Sequence, residues 1–537
     1  MTYRMGLGSL LVRSAMTIAA LGAGTAGANE VVLRDKTGSA EISGELIGFS
    51  DGFYRLRTQL GELRLSARQM RCQGAACPET ELLDADLVFA GAELIGDELL
   101  PMLVTAWGTA RDAETSLAPL DGEAAQQVAR LVANSGFGAP VASYLIRSSD
   151  TEDGLMQLAE AEAHLALADR RIFPAEAQAL RAAGGGNMVN DNQERIVAAD
   201  PVNVIVHPSN PVASLSMAQL ADIYTGRVTN WRELGGEDLP VTVFAAAPGS
   251  PSRTYFEDRV LGSQAAAKGL ATLPGDGAIA EAVTADRGAI GYVRHSFERG
   301  ARAVPLASMC GIATSPTGFA AKTGEYPLSR PLYLYAREDT LDADVRDFFN
   351  FVATPGADGA IVKAGFLGMD VERAPLDAAA ERVRLDMRDA SGSYETAKMA
   401  EFLDLAPQWE RLSVTLRFDA TSTRLDAQGR RDLERLVDYL DRQPKGTRIA
   451  LAGFTDDSGS FDGNRMLSRQ RAAQVAEELA DHGIGDTGDS GAGPEVTVFG
   501  FGQIAPVGCN ATPEGRRANQ RVEVWIRGGD THVVASM

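Results

Sequence analysis

Histidine is scarce in these 537 residues: five occur, His164, His207, His295, His482 and His532. None stands at metal-ligand spacing from another, and no H-E-x-x-H helix motif occurs, so each reads as a solvated or packed side chain and no metal is expected. A G-x-S-x-G elbow and a G-x-x-x-x-G-K-[ST] loop are both missing, which removes the usual signatures of serine hydrolases and P-loop enzymes. The stretch PGSPSRT (248–254) looks like a nucleophile loop but has no identifiable base. The glycines of GAGPEVTVFGFG lead into a strand, whereas a phosphate cradle opens a helix. No catalytic residue and no cofactor are assigned. Positive charge is short as well. Lys and Arg number 51 against 72 acids, a net charge of −21, which repels nucleic acid and anionic lipid. No later run of about 18 unbroken apolar residues occurs, so no membrane-spanning helix is expected in the mature chain.

Cysteine is also rare, with four residues: Cys72, Cys77, Cys310 and Cys509. Cys72 and Cys77 lie close together in MRCQGAACPE and read as a small loop disulfide. Cys310 and Cys509 stay open: free thiols, or a pair across domains.

What is present begins with an export signal. Arg4 and Arg13 precede a short apolar run, Ala15 to Ala23, and Ala26-Gly27-Ala28 offers a cleavage site. Residues 1–28 are therefore expected to be a signal peptide, and the mature protein is expected in the periplasm, soluble and associated with the cell wall or outer membrane. The remaining length exceeds what one core usually serves, so several domains are expected. Residues 29–85 alternate apolar and polar in VVLRD, ELIGF, FYRLRT and GELRLSA, with a turn at Asp51-Gly52, and read as a small antiparallel β module. Residues 86–370 alternate strand-like and helix-like runs, which predicts an α/β domain with a largely parallel sheet. Residues 371–410 are charged and helical and read as a connector. Residues 411–527 read as a βαβαββ two-layer sandwich, and 528–537 as a tail.

In the last module, strand RIALAGF runs into Thr455 and Asp456, and Ser468 is read as the N-cap of a helix that carries Arg471. A carboxylate and a guanidinium held side by side suit a zwitterion, the first taking an ammonium group and the second a carboxylate by a bidentate fork. The pattern GFTDDSGSFDGNRMLSRQRAAQV, with the later NATPEGRRANQRVEVW, resembles the OmpA-like C-terminal domain. That resemblance implies binding of the diaminopimelate side chain of peptidoglycan stem peptides. It assigns ligand contacts to Asp456, Asn464 and Arg471, with Thr455 and Arg521 beside them. Two departures stand out: Phe454 where the family usually has His, and Gln520 where Arg is commoner.

In the middle domain, NPVASLSMAQLADIYTGRVTNWRELGG, RGAIGYV, YPLSRPLYLY and FFNFVATPGADGAIVKAGF resemble the phosphate-binding proteins of ABC transporters. That implies a two-lobed, type II periplasmic-binding-protein fold with a small solute, a phosphate-like anion by resemblance, between the lobes. A transporter or another envelope protein would be its partner. The matching ligand loops fall on Gly91-Ala92-Glu93-Leu94, on Ala168-Asp169-Arg170, and on Ser252-Arg253-Thr254, with Pro248 in the family's Arg place. Hydroxyls have gone and carboxylates have arrived. The candidate ligand residues are thus Gly91, Ala92, Asp169, Ser252, Arg253 and Thr254, with Arg253 compensating for the missing Arg. Two functions follow: a wall-bound solute-binding protein, or a wall-linked scaffold whose binding domain has lost its ligand.

Overall fold

The computed structural model describes residues 30–35, 41–50, 53–59, 61–66, 70–74, 76–77, 85–120, 123–135, 139–190, 192–389, 392–418, 424–444, 446–485 and 494–527. The expected signal peptide, the Asp51-Gly52 turn and the 528–537 tail lie outside them. The chain divides into two units, Met1–Asp84 and Ala85–Met537.

In the first unit the period-two pattern forms five strands: Glu30–Asp35, Glu41–Ser50, Phe53–Thr58, Gly61–Ser66 and Met70–Gln73. All neighbours pair antiparallel, and the first strand lies between the second and the fifth. Val31, Leu33, Tyr54, Leu56 and Met70 make its core. Cys72 and Cys77 are joined, with an S–S distance of 2.05 Å.

The second unit opens with a lobe built on seven strands. Its centre, Leu87–Ala92, is buried throughout and pairs in parallel with Leu165–Ala168 and Pro140–Ser149. Burial on both faces explains the unbroken apolar runs. The rest of that sheet is antiparallel: Ala113–Leu120 and Glu123–Ala133 at one end, Pro331–Ala336 and Glu194–Ala199 at the other. The expected largely parallel sheet is therefore mixed, because residues 113–149 form a meander whose strands alternate too weakly to be read from sequence. A second lobe carries five strands in the order Ala271–Leu273, Thr242–Ala246, Ala289–Arg294, Val202–Val206 and Arg302–Ala303. Its core stacks Phe256 on Tyr292 at 4.0 Å. The chain crosses between lobes twice, side by side, and the Asp200 N–H donates to the Arg330 carbonyl at 2.8 Å. Adjacent crossings of this kind form a hinge.

The last domain has five strands in the order Arg373–Pro375, Glu410–Arg417, Arg521–Ile526, Arg448–Phe454 and Glu495–Gly502. Helices Ala427–Asp441 and Phe461–Asp481 cover one face. Residues 371–410 are no mere connector. They supply the edge strand Arg373–Pro375 and two helices, Asp377–Asp389 and Ser393–Leu405, whose apolar side chains pack with Ala450, Phe454, Phe501 and Trp525. Phe402 meets Phe501 edge-on at 5.0 Å. The strands present apolar side chains on both faces, so two layers would leave one wet; the third layer covers it. Among the described residues no helix is long and apolar enough to cross a membrane.

Candidate functional site

Strand Arg448–Phe454 is buried along nearly its whole length and delivers Thr455 and Asp456 at its C-terminal end. The following helix begins at Phe461, where the Ser460 hydroxyl accepts from the Gly463 N–H at 3.1 Å. Ser468 is therefore not a cap. It is fully buried inside the helix, accepts from the Gly502 N–H at 3.0 Å and donates to the Arg465 carbonyl at 2.9 Å. Gly453 permits this packing, since a Cβ there would lie 2.0 Å from the Ser468 carbonyl oxygen. Arg471 thus projects from the helix interior, and the side-by-side reading with Asp456 depends on packing, not on a helix start.

Asp456 and Arg471 are recessed, 7% and 3% exposed. The Asp456 carboxylate accepts from the Ser458 N–H at 3.0 Å and from the Gln520 side-chain amide at 2.6 Å. Asn464 donates to the Asp456 carbonyl at 3.2 Å and to Gln503 at 2.9 Å, so it fixes the loop. The Arg471 guanidinium lies over the Phe418 ring at 5.3 Å. Its Nε and Nη1 are buried and have no hydrogen-bond partner among the described residues, and neither has the buried Thr455 hydroxyl. No direct ion pair joins Arg471 to Asp456. Burial lowers the Arg471 pKa, and the nearby Asp456 charge opposes that. The result is a buried guanidinium with two unpartnered nitrogens, a buried hydroxyl without a partner, and a carboxylate whose charge the guanidinium feels without a direct ion pair.

Arg521 does not join them. It is 1% exposed, pairs with Glu523 at 2.7 Å, donates to the Ala505 carbonyl at 3.0 Å and covers the Phe454 ring at 4.1 Å. Phe454, in the usual His place, is therefore a packing partner. The neighbouring Gln520 is the residue that reaches the recess, so this departure from the family pattern does touch the carboxylate. Sequence reading noted Gln520 only as a departure from the family pattern, without a role, and passed over Gln503 and Phe418, which carried no signal.

In the two-lobed domain, Gly91 is the penultimate residue of the central strand, with φ +130°, and a Cβ there would lie 2.2 Å from the Leu167 carbonyl oxygen. Gly91 and the buried Ala92 serve strand packing. Asp169 accepts from the Thr151 hydroxyl at 2.7 Å and faces the Arg330 guanidinium at 4.0 Å. Arg330, fully buried, also pairs with Asp200 and donates to the Pro251 carbonyl at 3.0 Å. Ser252 is buried near that carbonyl, in helix Pro251–Phe256. Arg253 does not compensate for the missing Arg: it turns to Glu257 at 2.7 Å and to the Ala246 carbonyl at 3.1 Å. Thr254 points away, exposed. Arg330, quoted above only within a scaffold segment, is the guanidinium at the lobe junction. A second, Arg294, reaches Glu98 of the other lobe at 2.6 Å and Asp276 at 3.2 Å. Each arginine is thus matched by two carboxylates.

Fold and recess together define a two-module binding protein: a hinged, two-lobed domain followed by an α/β module with a carboxylate–guanidinium recess. A family model described as PBP superfamily domain matches residues 112–355, and one described as OmpA family matches 417–520. The chain is 31% identical over 244 residues to protein SphX of Synechococcus elongatus, a match covering 43% of this chain and 68% of SphX. It belongs to the PBP superfamily and carries a C-terminal OmpA-family domain. It is also 40% identical over 94 residues to the peptidoglycan-binding protein ArfA of Mycobacterium tuberculosis, where it spans 18% of this chain and about a quarter, 26%, of ArfA. Among solved structures, an ABC-type phosphate transport receptor from Vibrio cholerae aligns with a TM-score of 0.40 at 18% identity, covering 52% of this chain and 99% of that one.

Proposed function

We propose that this is an exported envelope protein that holds peptidoglycan non-covalently through the Asp456–Arg471 recess, and that its two-lobed domain is of the solute-binding type. The observation that carries this is the buried Arg471 guanidinium with two unpaired nitrogens, near the Asp456 carboxylate but in no ion pair with it. A buried charge left unpaired costs several kcal/mol, on the order of 3–5, so a fold retains one when a ligand completes it. The end of a diaminopimelate side chain carries an ammonium and a carboxylate on one carbon. Its carboxylate would accept from the Arg471 guanidinium, and its ammonium would meet Asp456, which Gln520 holds in place. The Thr455 hydroxyl supplies one more donor. The peptidoglycan-binding description of ArfA supports the same reading. Pull-down by diaminopimelate-type peptidoglycan tests it: the protein sediments with the wall, while Asp456→Ala and Arg471→Ala each lose at least about tenfold in affinity, as removal of one partner of a charge-assisted pair does. Undiminished sedimentation of both variants would refute it.

For the lobes, the resemblance of the segments NPVASLSMAQLADIYTGRVTNWRELGG and YPLSRPLYLY to phosphate-binding proteins of ABC transporters supports a phosphate-like anion. The four carboxylates around Arg294 and Arg330 support the other reading, a wall-linked scaffold whose cleft is closed by its own ion pairs.

A further inference from the structure

The C-terminal domain docks on both lobes at once. On the first lobe, Arg431 donates to Glu194 at 2.7 Å; Glu194 is fully buried and also takes Arg171 and the Tyr335 hydroxyl, at 2.9 and 3.0 Å. On the second lobe, Arg411 pairs with Glu325 at 2.5 Å and Arg417 donates to the Thr323 carbonyl at 3.0 Å. The second lobe is also joined covalently, since Cys310 is disulfide-bonded to Cys509. A body attached to both sides of a hinge restrains that hinge. Opening or closing the lobes must break one docking face or drag the domain along.

The covalent tie lands on a telling loop. Cys509 sits in the segment that Asn519 organises, its side chain accepting from the N–H groups of Val507 and Gly508 at 2.8 and 2.9 Å and donating to the Gly508 carbonyl at 2.8 Å. The next residue, Gln520, holds the Asp456 carboxylate. From the second lobe to the recess the path is therefore Cys310, Cys509, its chain neighbours Gly508 and Asn510, Asn519, Gln520 and Asp456, through one disulfide, peptide bonds and hydrogen bonds. We infer that the Cys310–Cys509 disulfide makes the hinge and the Asp456–Arg471 recess one coupled, redox-dependent device: oxidised, it fixes the lobe separation and preorganises the recess; reduced to two thiols by thiol–disulfide exchange with a dithiol, which is itself oxidised to a disulfide, it releases both. The second half rests on the peptidoglycan reading above; the first does not. Such coupling is reciprocal, so a ligand in the recess also biases the hinge.

The test uses the full chain with spin labels on Met156→Cys in the first lobe and Lys268→Cys in the second, both exposed, attached by a thioether while the native disulfides stay oxidised. Inter-lobe distances are measured in this protein and in one that also carries Cys310→Ser and Cys509→Ser. The same labelled, oxidised protein treated with a phosphine reductant provides a second comparison that needs no refolding. The expected result is a narrow distribution when oxidised and a broader or shifted one in both other samples; identical distributions in all three overturn the inference. A soluble diaminopimelate stem peptide is then titrated calorimetrically. Loss of the tie is expected to weaken it at least about fivefold, the lower end of allosteric coupling. Equal affinity overturns the link to the recess. No binding to any sample refutes the peptidoglycan reading instead, and leaves the distance result to decide the hinge.

Discussion

Arg471 carries a positive charge to a buried place over the Phe418 ring. Its guanidinium could have been satisfied by closing onto Asp456, but the carboxylate is held back by Gln520 and the Ser458 N–H. A buried charge with unpaired nitrogens carries a desolvation cost of several kcal/mol, by order of magnitude, which an apolar group of similar length does not carry. Arg471→Met is therefore expected to raise the unfolding midpoint in a thermal melt while abolishing wall binding. A lower midpoint would mean that the guanidinium has structural partners and that the recess is not built for a ligand. Arg521 shows the opposite arrangement. Burial acts to raise the Glu523 carboxyl, yet Arg411 and Arg521 hold it below its ordinary value, so this cluster is already complete. Both arginines lie in segments that carry the OmpA-like resemblance, and nothing in the sequence separates the satisfied one from the unsatisfied one; only their surroundings do.

At the level of elements, the recess depends on how closely the Phe461–Asp481 helix approaches the Arg448–Phe454 strand. Gly453 sets that approach, because any Cβ would strike the helix backbone at Ser468. Gly453→Ala is expected to push the helix outward, cost about 1–3 kcal/mol by overpacking, and weaken peptidoglycan sedimentation although it touches no ligand. Wild-type stability and binding in this variant would show that the helix position does not set the recess. The strand and loop that bear Asp456 were legible, since an apolar run ending in Thr-Asp needs no tertiary information. The helix start was not. Ser468 resembles a cap, but Ser460 with Gly463 three residues on does the capping, and Ser468 instead bonds across to Gly502. Likewise 371–410 read as a charged connector because half its side chains face water; its buried half, Leu376, Val383 and Phe402 among them, makes sense only against the sheet.

At the scale of the molecule, the two-lobed domain and the C-terminal OmpA-family domain were readable through the resemblance of their segments to known families, whereas the chemistry between the lobes was not. Arg330 lies in a run that scans as scaffold, and its partners Asp169 and Asp200 come from distant loops. Four carboxylates around two guanidiniums leave no net positive field for an anion. A ligand at 100 times its dissociation constant stabilises by about 2.7 kcal/mol. Millimolar inorganic phosphate is expected to leave the thermal midpoint unchanged; a rise of several degrees would show that the solute displaces Asp169 and that the cleft is a working phosphate site.

The central claim is that a zwitterion completes the recess. Calorimetric titration of the full chain with a soluble diaminopimelate stem peptide, set beside the same peptide with its side-chain carboxylate amidated, tests it most directly. The free carboxylate form is expected to bind, and the amidated form to bind at least about tenfold more weakly, because Arg471 then loses its ionised partner. Equal affinity for the two peptides, or an Arg471→Met variant that still separates them, would contradict the account.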